Sequence, residues 1–158
     1  MNYWNQRKDL PYYKRVLELA KKYVPDGYSV IDVGSHDCRY IEWFDWFKRR
    51  TVLDILEHKV EIPGMEYVQT DFMKYRITGF DLVLCLQVLE HIPDAEKFAK
   101  KLLETGNTVI ASVPYKWDPK IEPEHVHDPV DEEKLLAWFG KPWVEADIVN
   151  HRLIAVFQ

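Results

Sequence analysis

The chain has 158 residues, of which 47% are hydrophobic and 14% aromatic, enough to build the core of one domain. Its net charge of -5 argues against broad binding to nucleic acids or to anionic membranes. Two cysteines are too few for a disulfide scaffold, and neither a signal core nor a membrane-spanning apolar run is present, so we expect a cytoplasmic protein.

Helical and extended patterns alternate along the chain. Helical spacing predicts a helix over 12–23, and Pro25-Asp26-Gly27 ends it. Apolar runs predict five strands, at 29–33, 50–55, 65–70, 80–86 and 108–113. Further helices are predicted at 40–47, 94–104 and 131–139, and a proline-containing loop at 115–130. Two final strands, 144–149 and 152–157, are separated by two residues and therefore predict an antiparallel hairpin.

This alternation predicts an α/β fold with a mostly parallel sheet and helices on both faces. Ligands of such sheets bind at the carboxyl ends of the strands, and acidic residues stand at several of those ends. Asp32 and Gly34 follow the first strand, and Asp54 lies 20 residues past Gly34, where an acid reaches a ribose diol. Asp71 and Phe72 suit an adenine, because the acid accepts from the amine and the ring covers the base. Together they predict a nucleotide-like cofactor.

Five segments carry a family resemblance: VIDVGS (30–35), VLDI (52–55), TDF (70–72), FDLVLCLQVLEHIPD (80–94) and VIASVPY (109–115). They resemble the class I S-adenosylmethionine-dependent methyltransferases of the small-molecule type. The resemblance implies a Rossmann-like, doubly wound sheet of seven mostly parallel strands that ends in an antiparallel hairpin. It also implies one methyltransferase-like domain over 1–158 without a cap domain, and S-adenosylmethionine as the cofactor.

The resemblance also implies which residues hold that cofactor. They are Asp32, Gly34, Ser35, His36, Asp54, Ile55, Asp71, Phe72, Leu86 and Gln87. The chain departs from the family in its first loop, where His36 and Cys38 replace later glycines. Since Gly34 is kept at the turn, we expect a modified but working loop.

Methyl transfer is an in-line displacement at a sulfonium carbon, so it depends first on alignment of the acceptor. A hydroxyl or amine acceptor also gains from a general base, and histidine suits that role near neutral pH. The candidate catalytic residues are His91, His125 and His127. On the substrate side we place Glu90, Tyr115 and Trp117.

Aromatic residues form two further groups. Those at 40–47 are interpreted as the apolar face of the first crossover helix, and their excess could mark the interface of a homodimer. Residues 1–11, with Tyr3 and Trp4, together with Tyr12 and Tyr13, could form a flap over the cofactor.

The sequence therefore predicts methyl transfer to oxygen or nitrogen of a small molecule, of sugar or natural-product type. One alternative is an inactive interaction module of the same fold, supported by His36 and Cys38. A second is a metal-assisted RNA 2′-O-methyltransferase, because such enzymes carry an E-x-x-E-H motif and a later histidine. Here Gln87 replaces the first acid, and we expect no metal ion. A nicotinamide enzyme would need G-x-G-x-x-G after the first strand, and the chain has none.

Overall fold

A seven-stranded sheet forms the centre of the computed structural model, which describes residues 2–59 and 61–158. Its strands are β1 (Ser29–Val33), β2 (Arg49–Asp54), β3 (Glu66–Gln69), β4 (Phe80–Leu86), β5 (Gly106–Pro114), β6 (Glu145–Val149) and β7 (Arg152–Phe157). Their order is β3-β2-β1-β4-β5-β7-β6, and only the pairs that involve β7 are antiparallel. The predicted Rossmann-like, mostly parallel sheet with a terminal hairpin is confirmed.

Four α-helices flank the sheet: α1 (Tyr3–Arg7), α2 (Pro11–Tyr23), α3 (Ala95–Thr105) and α4 (Glu132–Phe139). Local sequence explains their starts. Pro11 begins α2, where its missing N–H costs nothing. The carboxylates of Asp94 and Asp131 cap α3 and α4 by accepting from the N–H groups of Lys97 and Lys134. Short 3-10 turns follow three strands, at Tyr40–Trp43, Phe72–Lys74 and Leu89–His91.

Two apolar layers enclose the sheet because successive strand residues point to opposite faces. Val30 faces α2 and the aromatic segment, whereas Ile31 and Val33 face α3 and α4. β1 is buried along its full length, as its continuous apolar run predicts. The sheet thus holds the carboxyl ends of β1, β2 and β4 at one rim.

The aromatic segment differs from its predicted form. Only one 3-10 turn, Tyr40–Trp43, stands where a helix over 40–47 was predicted, although the segment does join the core. Each ring has its own partner: the Phe44 and Trp46 ring centroids lie 5.4 Å apart, and Trp46 Nε1 donates to the carbonyl of Val24. Packing of individual rings has overridden helical periodicity here.

The N-terminal segment packs beside the first loop. Trp4 in α1 is buried, and its ring lies 5.3 Å from that of Tyr13. Tyr3 stacks on His36 with ring centroids 4.5 Å apart. The helical pattern of 3–7 was not predicted, since five residues are too few to show a period.

No helix in the described part of the chain is both long and apolar enough to cross a bilayer.

Gly34 is the residue on which the first turn depends. It adopts φ +77°, and a Cβ at this position would lie 2.4 Å from Cγ2 of Val88. Gly34→Ala should therefore lower the free energy of unfolding by about 2–5 kcal/mol, through strain and overlap together. Urea unfolding measures this loss.

Gly79→Ala is the matched control for Gly34→Ala. Gly79 adopts φ +84°, and a Cβ at this position would have no other atom within 4 Å, so only strain of about 1–2 kcal/mol applies. Equal losses for the two variants would show that the contact with Val88 does not matter.

Candidate active site

A pocket of about 720 Å³ opens at the carboxyl ends of β1, β2 and β4. This volume lies within the range of about 300–1,000 Å³ that small-molecule sites occupy. The pocket brings together nine of the ten predicted cofactor residues: Gly34, Ser35, His36, Asp54, Ile55, Asp71, Phe72, Leu86 and Gln87. It also contains Glu90, His91, His125 and Trp117 from the predicted catalytic and substrate-side sets.

The Asp54 carboxylate joins two of the loops that line the pocket. Its Oδ2 accepts from the N–H of His36 at 2.8 Å, and its Oδ1 accepts from the N–H of Leu56 at 2.9 Å. Each carboxylate oxygen has a second acceptor position, so Asp54 keeps capacity for a ligand's hydroxyl groups. Asp54 is thus held rigidly where the spacing from Gly34 predicted it.

His36 stands in the first loop at a position where the family pattern has a glycine. The residue adopts φ 48°, a left-handed conformation that glycine adopts freely and other residues adopt at some cost. Its backbone N–H still reaches Asp54, and its ring stacks on Tyr3. His36 therefore joins the first loop to Asp54 through its backbone and to the N-terminal segment through its ring.

Cys38, the other departure from the family pattern, is held as a neutral thiol. Its Sγ lies 3.6 Å from the hydroxyl oxygen of Tyr13, and burial raises the pKa of Cys38 to about 12. It lines the pocket as a small, weakly polar group rather than as a nucleophile.

Asp71 and Phe72 form a second recognition pair at the end of β3. Asp71 caps the following 3-10 turn, with Oδ1 accepting from the N–H of Met73 at 2.9 Å. Phe72 is buried, with its ring 4.9 Å from that of Phe98. Both residues line the pocket.

Asp32 lies beneath the loop and outside the pocket lining. It is 1% exposed, its Oδ1 accepts from the hydroxyl of Tyr40, and its Oδ2 has no partner among the described residues. Burial raises the pKa of this carboxyl from 3.8 to about 7. Asp32 thus bonds to Tyr40 and does not line the pocket.

Gln87 turns the chain out of β4 into the pocket. It adopts φ 59°, and Nε2 of its side chain donates to Oγ of Ser112 at 3.1 Å. Because β4 and β2 lie on opposite sides of β1, this turn places the following 3-10 segment, Leu89–His91, at the other end of the pocket from Asp54.

Glu90, His91 and His125 cluster at that second end. One ligand atom from each residue lies within 4.8 Å of the others. The rings of His91 and His125 are nearly perpendicular, with centroids 4.7 Å apart. Glu90 is 1% exposed, and burial raises its pKa to about 8. Its Oε2 has no hydrogen-bond partner among the described residues.

Both histidines of the cluster are oriented from behind. Nδ1 of His125 lies 2.6 Å from Oδ2 of Asp128, and Nδ1 of His91 lies 3.2 Å from the carbonyl oxygen of Glu124. A carbonyl or carboxylate oxygen only accepts, so Nδ1 carries the proton in each ring. Nε2 of each ring has no hydrogen-bond partner among the described residues.

His127 and Tyr115 lie outside the pocket lining. The His127 ring packs 5.0 Å from that of Trp138, and its Nε2 is 2.6 Å from the carbonyl oxygen of Ile92. The hydroxyl of Tyr115 donates to Glu132 at 2.9 Å. In these positions the two residues fix the loop that carries His125.

Two arginines in the pocket were not found from the sequence. Arg152 is 8% exposed, and its guanidinium carbon lies 4.8 Å from the Tyr12 ring and 5.5 Å from the Trp117 ring. Arg7 donates to the hydroxyl of Tyr12 at 3.4 Å. Within the described chain, neither forms an ion pair with a carboxylate. Both lie far along the chain from the recognised motifs, so no spacing could reveal them.

The fold and the pocket define a class of protein: an α/β protein with a ligand-sized pocket at the carboxyl ends of its parallel strands. The family described as "Methyltransferase domain" matches residues 31–105. A sequence comparison with curated proteins gives no match.

Solved structures share the fold at low sequence identity. The chain is similar to the 1,6-didemethyltoxoflavin-N1-methyltransferase of Burkholderia thailandensis, which was crystallised with 1,6-didemethyltoxoflavin and S-adenosylhomocysteine. The TM-score is 0.78 at 16% identity, over 94% of this chain and 78% of that one. The N-methyltransferase NodS of Bradyrhizobium japonicum, in complex with S-adenosylhomocysteine, gives 0.72 at 15% identity, over 98% and 90%. A Haloferax volcanii complex of the activator Trm112 with a putative methyltransferase gives 0.76 at 12%, over 96% and 90%.

Residues 31–105 thus match a methyltransferase domain, and the chain shares its fold with methyltransferases crystallised with S-adenosylhomocysteine.

Asp32 should make stability depend on pH. Between pH 3.8 and about 7 the native carboxyl keeps a proton that the unfolded chain releases, so stability falls as the pH rises through this range. Asp32→Asn removes this ionisation and keeps an acceptor for Tyr40. Its stability relative to the parent should rise with pH, by up to about 4 kcal/mol at pH 8.

Urea unfolding at about pH 4.5, 6 and 8 measures this change. Asp26→Asn, at an exposed position, is the control and should give a constant difference. Parallel pH profiles for Asp32→Asn and the parent would show that Asp32 is ionised in the native state throughout.

Proposed function

We propose that this protein transfers a methyl group from S-adenosylmethionine to an oxygen or nitrogen atom of a small molecule. The observation that carries the proposal is the single pocket that joins Asp54 and Asp71 at one end to Glu90, His91 and His125 at the other. Such continuity is what a transfer between two bound molecules requires.

The donor set of the first end fits S-adenosylmethionine. The Asp54 carboxylate suits the ribose hydroxyl groups, and Asp71 with Phe72 suits the adenine amine and ring. The turn at Gly34 allows close approach of the backbone. The cofactor supplies an electrophilic methyl group on a sulfonium; the protein's part is to align the acceptor and to exclude water.

The second end suits a polar acceptor. His91 and His125 line the pocket with their Nδ1 atoms engaged elsewhere, and Trp117 supplies an apolar wall. These groups can bind the acceptor's hydroxyl or amine and remove its proton. The N-methyltransferases among the structural neighbours support a small-molecule substrate.

Asp54→Asn tests the cofactor end. Loss of the charged acceptor should weaken binding of S-adenosylmethionine and S-adenosylhomocysteine about tenfold or more. Isothermal titration calorimetry measures both affinities. Asp26→Asn is the matched control and should bind as the parent does, because Asp26 is exposed and outside the pocket.

The titrations of Asp54→Asn and of the parent test two separate parts of the proposal. An unchanged affinity for Asp54→Asn would remove Asp54 from the binding site. A well-folded parent that binds neither ligand would overturn the enzyme proposal and favour an inactive interaction module.

Arg7 provides a second test, since its guanidinium suits the carboxylate at the methionine end of the cofactor. Arg7→Gln should weaken S-adenosylhomocysteine binding about tenfold and leave adenosine binding unchanged, because adenosine lacks the carboxylate. Calorimetry with the two ligands separates these effects, and Lys8→Gln, at an exposed neighbour, is the control. An equal loss for both ligands would mean that Arg7 acts only by holding the N-terminal segment.

A further inference from the structure

We propose that Glu90, His91 and His125 bind one divalent transition-metal ion, and that the methyl acceptor is a hydroxyl group which coordinates that ion. The inference rests on the proposed function, because it concerns the acceptor end of the same pocket. It replaces the expectation of a metal-free site with a site built from one carboxylate and two imidazoles.

The spacing of the three residues fits a common ion. Their ligand atoms lie within 4.8 Å of one another. With metal–ligand bonds of about 2.0–2.2 Å, two ligand atoms of one ion lie about 3–4.2 Å apart. Side-chain movements that shift the ligand atoms by about 1 Å would therefore complete the site. The ring centroids of His91 and His125 lie 4.7 Å apart, and Nδ1 of each ring is already bonded, which leaves Nε2 as the ligand atom of each.

The hydrogen bonds behind the histidines match those of metal ligands. Asp128 accepts from Nδ1 of His125, and both side chains are almost fully enclosed, with exposures of 0% and 6%. The carbonyl oxygen of Glu124 accepts from Nδ1 of His91. Metal-binding histidines nearly always donate their second N–H to such an oxygen, which fixes the ring and directs Nε2 toward the ion.

Glu90 supplies an independent observation. This carboxyl group is 1% exposed, and its Oε2 has no partner among the described residues. Buried carboxylates ordinarily pair with a donor, a cation or a metal ion. A divalent ion at this position would give Oε2 its missing partner.

The loop that carries His125 is fixed to the turn that carries Glu90 and His91. The N–H of Val126 donates to the carbonyl oxygen of Glu90 at 2.9 Å, and His127 bonds to the carbonyl of Ile92. The three ligands are therefore held near their final positions before an ion arrives. Preorganisation of this kind favours binding.

Three protein ligands leave positions open on the ion for the acceptor. A hydroxyl bound there becomes more acidic, and its proton passes to solvent water. The resulting oxygen forms a bond to the methyl carbon as the carbon–sulfur bond breaks, and that electron pair remains on sulfur. An amine acceptor would gain nothing comparable, since it attacks through the same lone pair that the metal would occupy.

The ligand types select the ion. Imidazole suits Fe²⁺, Co²⁺ and Zn²⁺ better than it suits Mg²⁺ or Ca²⁺, which prefer all-oxygen sites. We therefore expect transition-metal ions to bind at a ratio of one per chain, and Mg²⁺ to compete poorly.

Co²⁺ is the probe for the first experiment, because its visible absorption reports nitrogen and oxygen ligands directly. Metal-stripped protein is titrated with CoCl₂, and calorimetry with MnCl₂ repeats the measurement. The parent should saturate at one ion. Glu90→Gln, His91→Gln and His125→Gln should each lose the signal, whereas Asp128→Asn should weaken affinity about 10–100-fold.

His151→Asn is the matched control, because His151 is exposed in the hairpin turn at φ 56°, which asparagine tolerates. It should bind Co²⁺ as the parent does. Circular dichroism and S-adenosylhomocysteine titration of each variant exclude loss of folding. If the parent binds S-adenosylhomocysteine but no metal ion, the proposal of a metal site is wrong and the proposed function stands.

A methyl-transfer screen then separates acceptor classes, with Co²⁺- or Mn²⁺-loaded and chelator-treated protein. Small diols and sugars should be methylated only by the loaded protein. Equal activity after chelation would overturn the inference and assign His91 or His125 as a simple base. Metal-dependent methylation of short RNA ends, with small diols inert, would overturn the small-molecule acceptor.

Discussion

The site depends on one carboxylate that ties two loops together. Asp54 accepts one backbone N–H from the first loop, at His36, and one from its own loop, at Leu56. The parallel register of β1 and β2 brings the two loops level, and the close contact of Gly34 with Val88 brings the β4 loop against them. The carboxyl ends of β1, β2 and β4 are therefore held close together. The floor of the pocket is a consequence of this meeting.

The acceptor end is built by a different principle. Its residues come from the short turn Leu89–His91 and from the long loop that follows β5, and backbone hydrogen bonds join the two. Loops without regular structure are precise only where such bonds fix them. Here Val126 and His127 bond to the turn, and His91 of the turn bonds to the carbonyl oxygen of Glu124. These bonds fix the loop on both sides of His125.

The sequence predicted the sheet, and the meeting of acidic residues at its rim, because both follow from local patterns. Continuous apolar runs marked the strands, and acids at successive strand ends marked the pocket. It could not show that residues 40–47 form only one helical turn, since ring-by-ring packing decides that. Nor could it reveal Arg7, Arg152 and Asp128, whose roles arise from contacts between distant parts of the chain.

Charge balance links the two ends. Glu90 is buried with an unpartnered oxygen, while Arg152 and Arg7 are cations without a carboxylate partner in the described residues. The attraction of the arginines lowers the pKa of Glu90, but burial has the larger effect and raises it. Because the arginines do not bond to Glu90, the carboxyl group and the guanidinium groups each keep free capacity for a bound group. A cation beside Glu90 and an anionic group beside Arg152 would give both their missing partners.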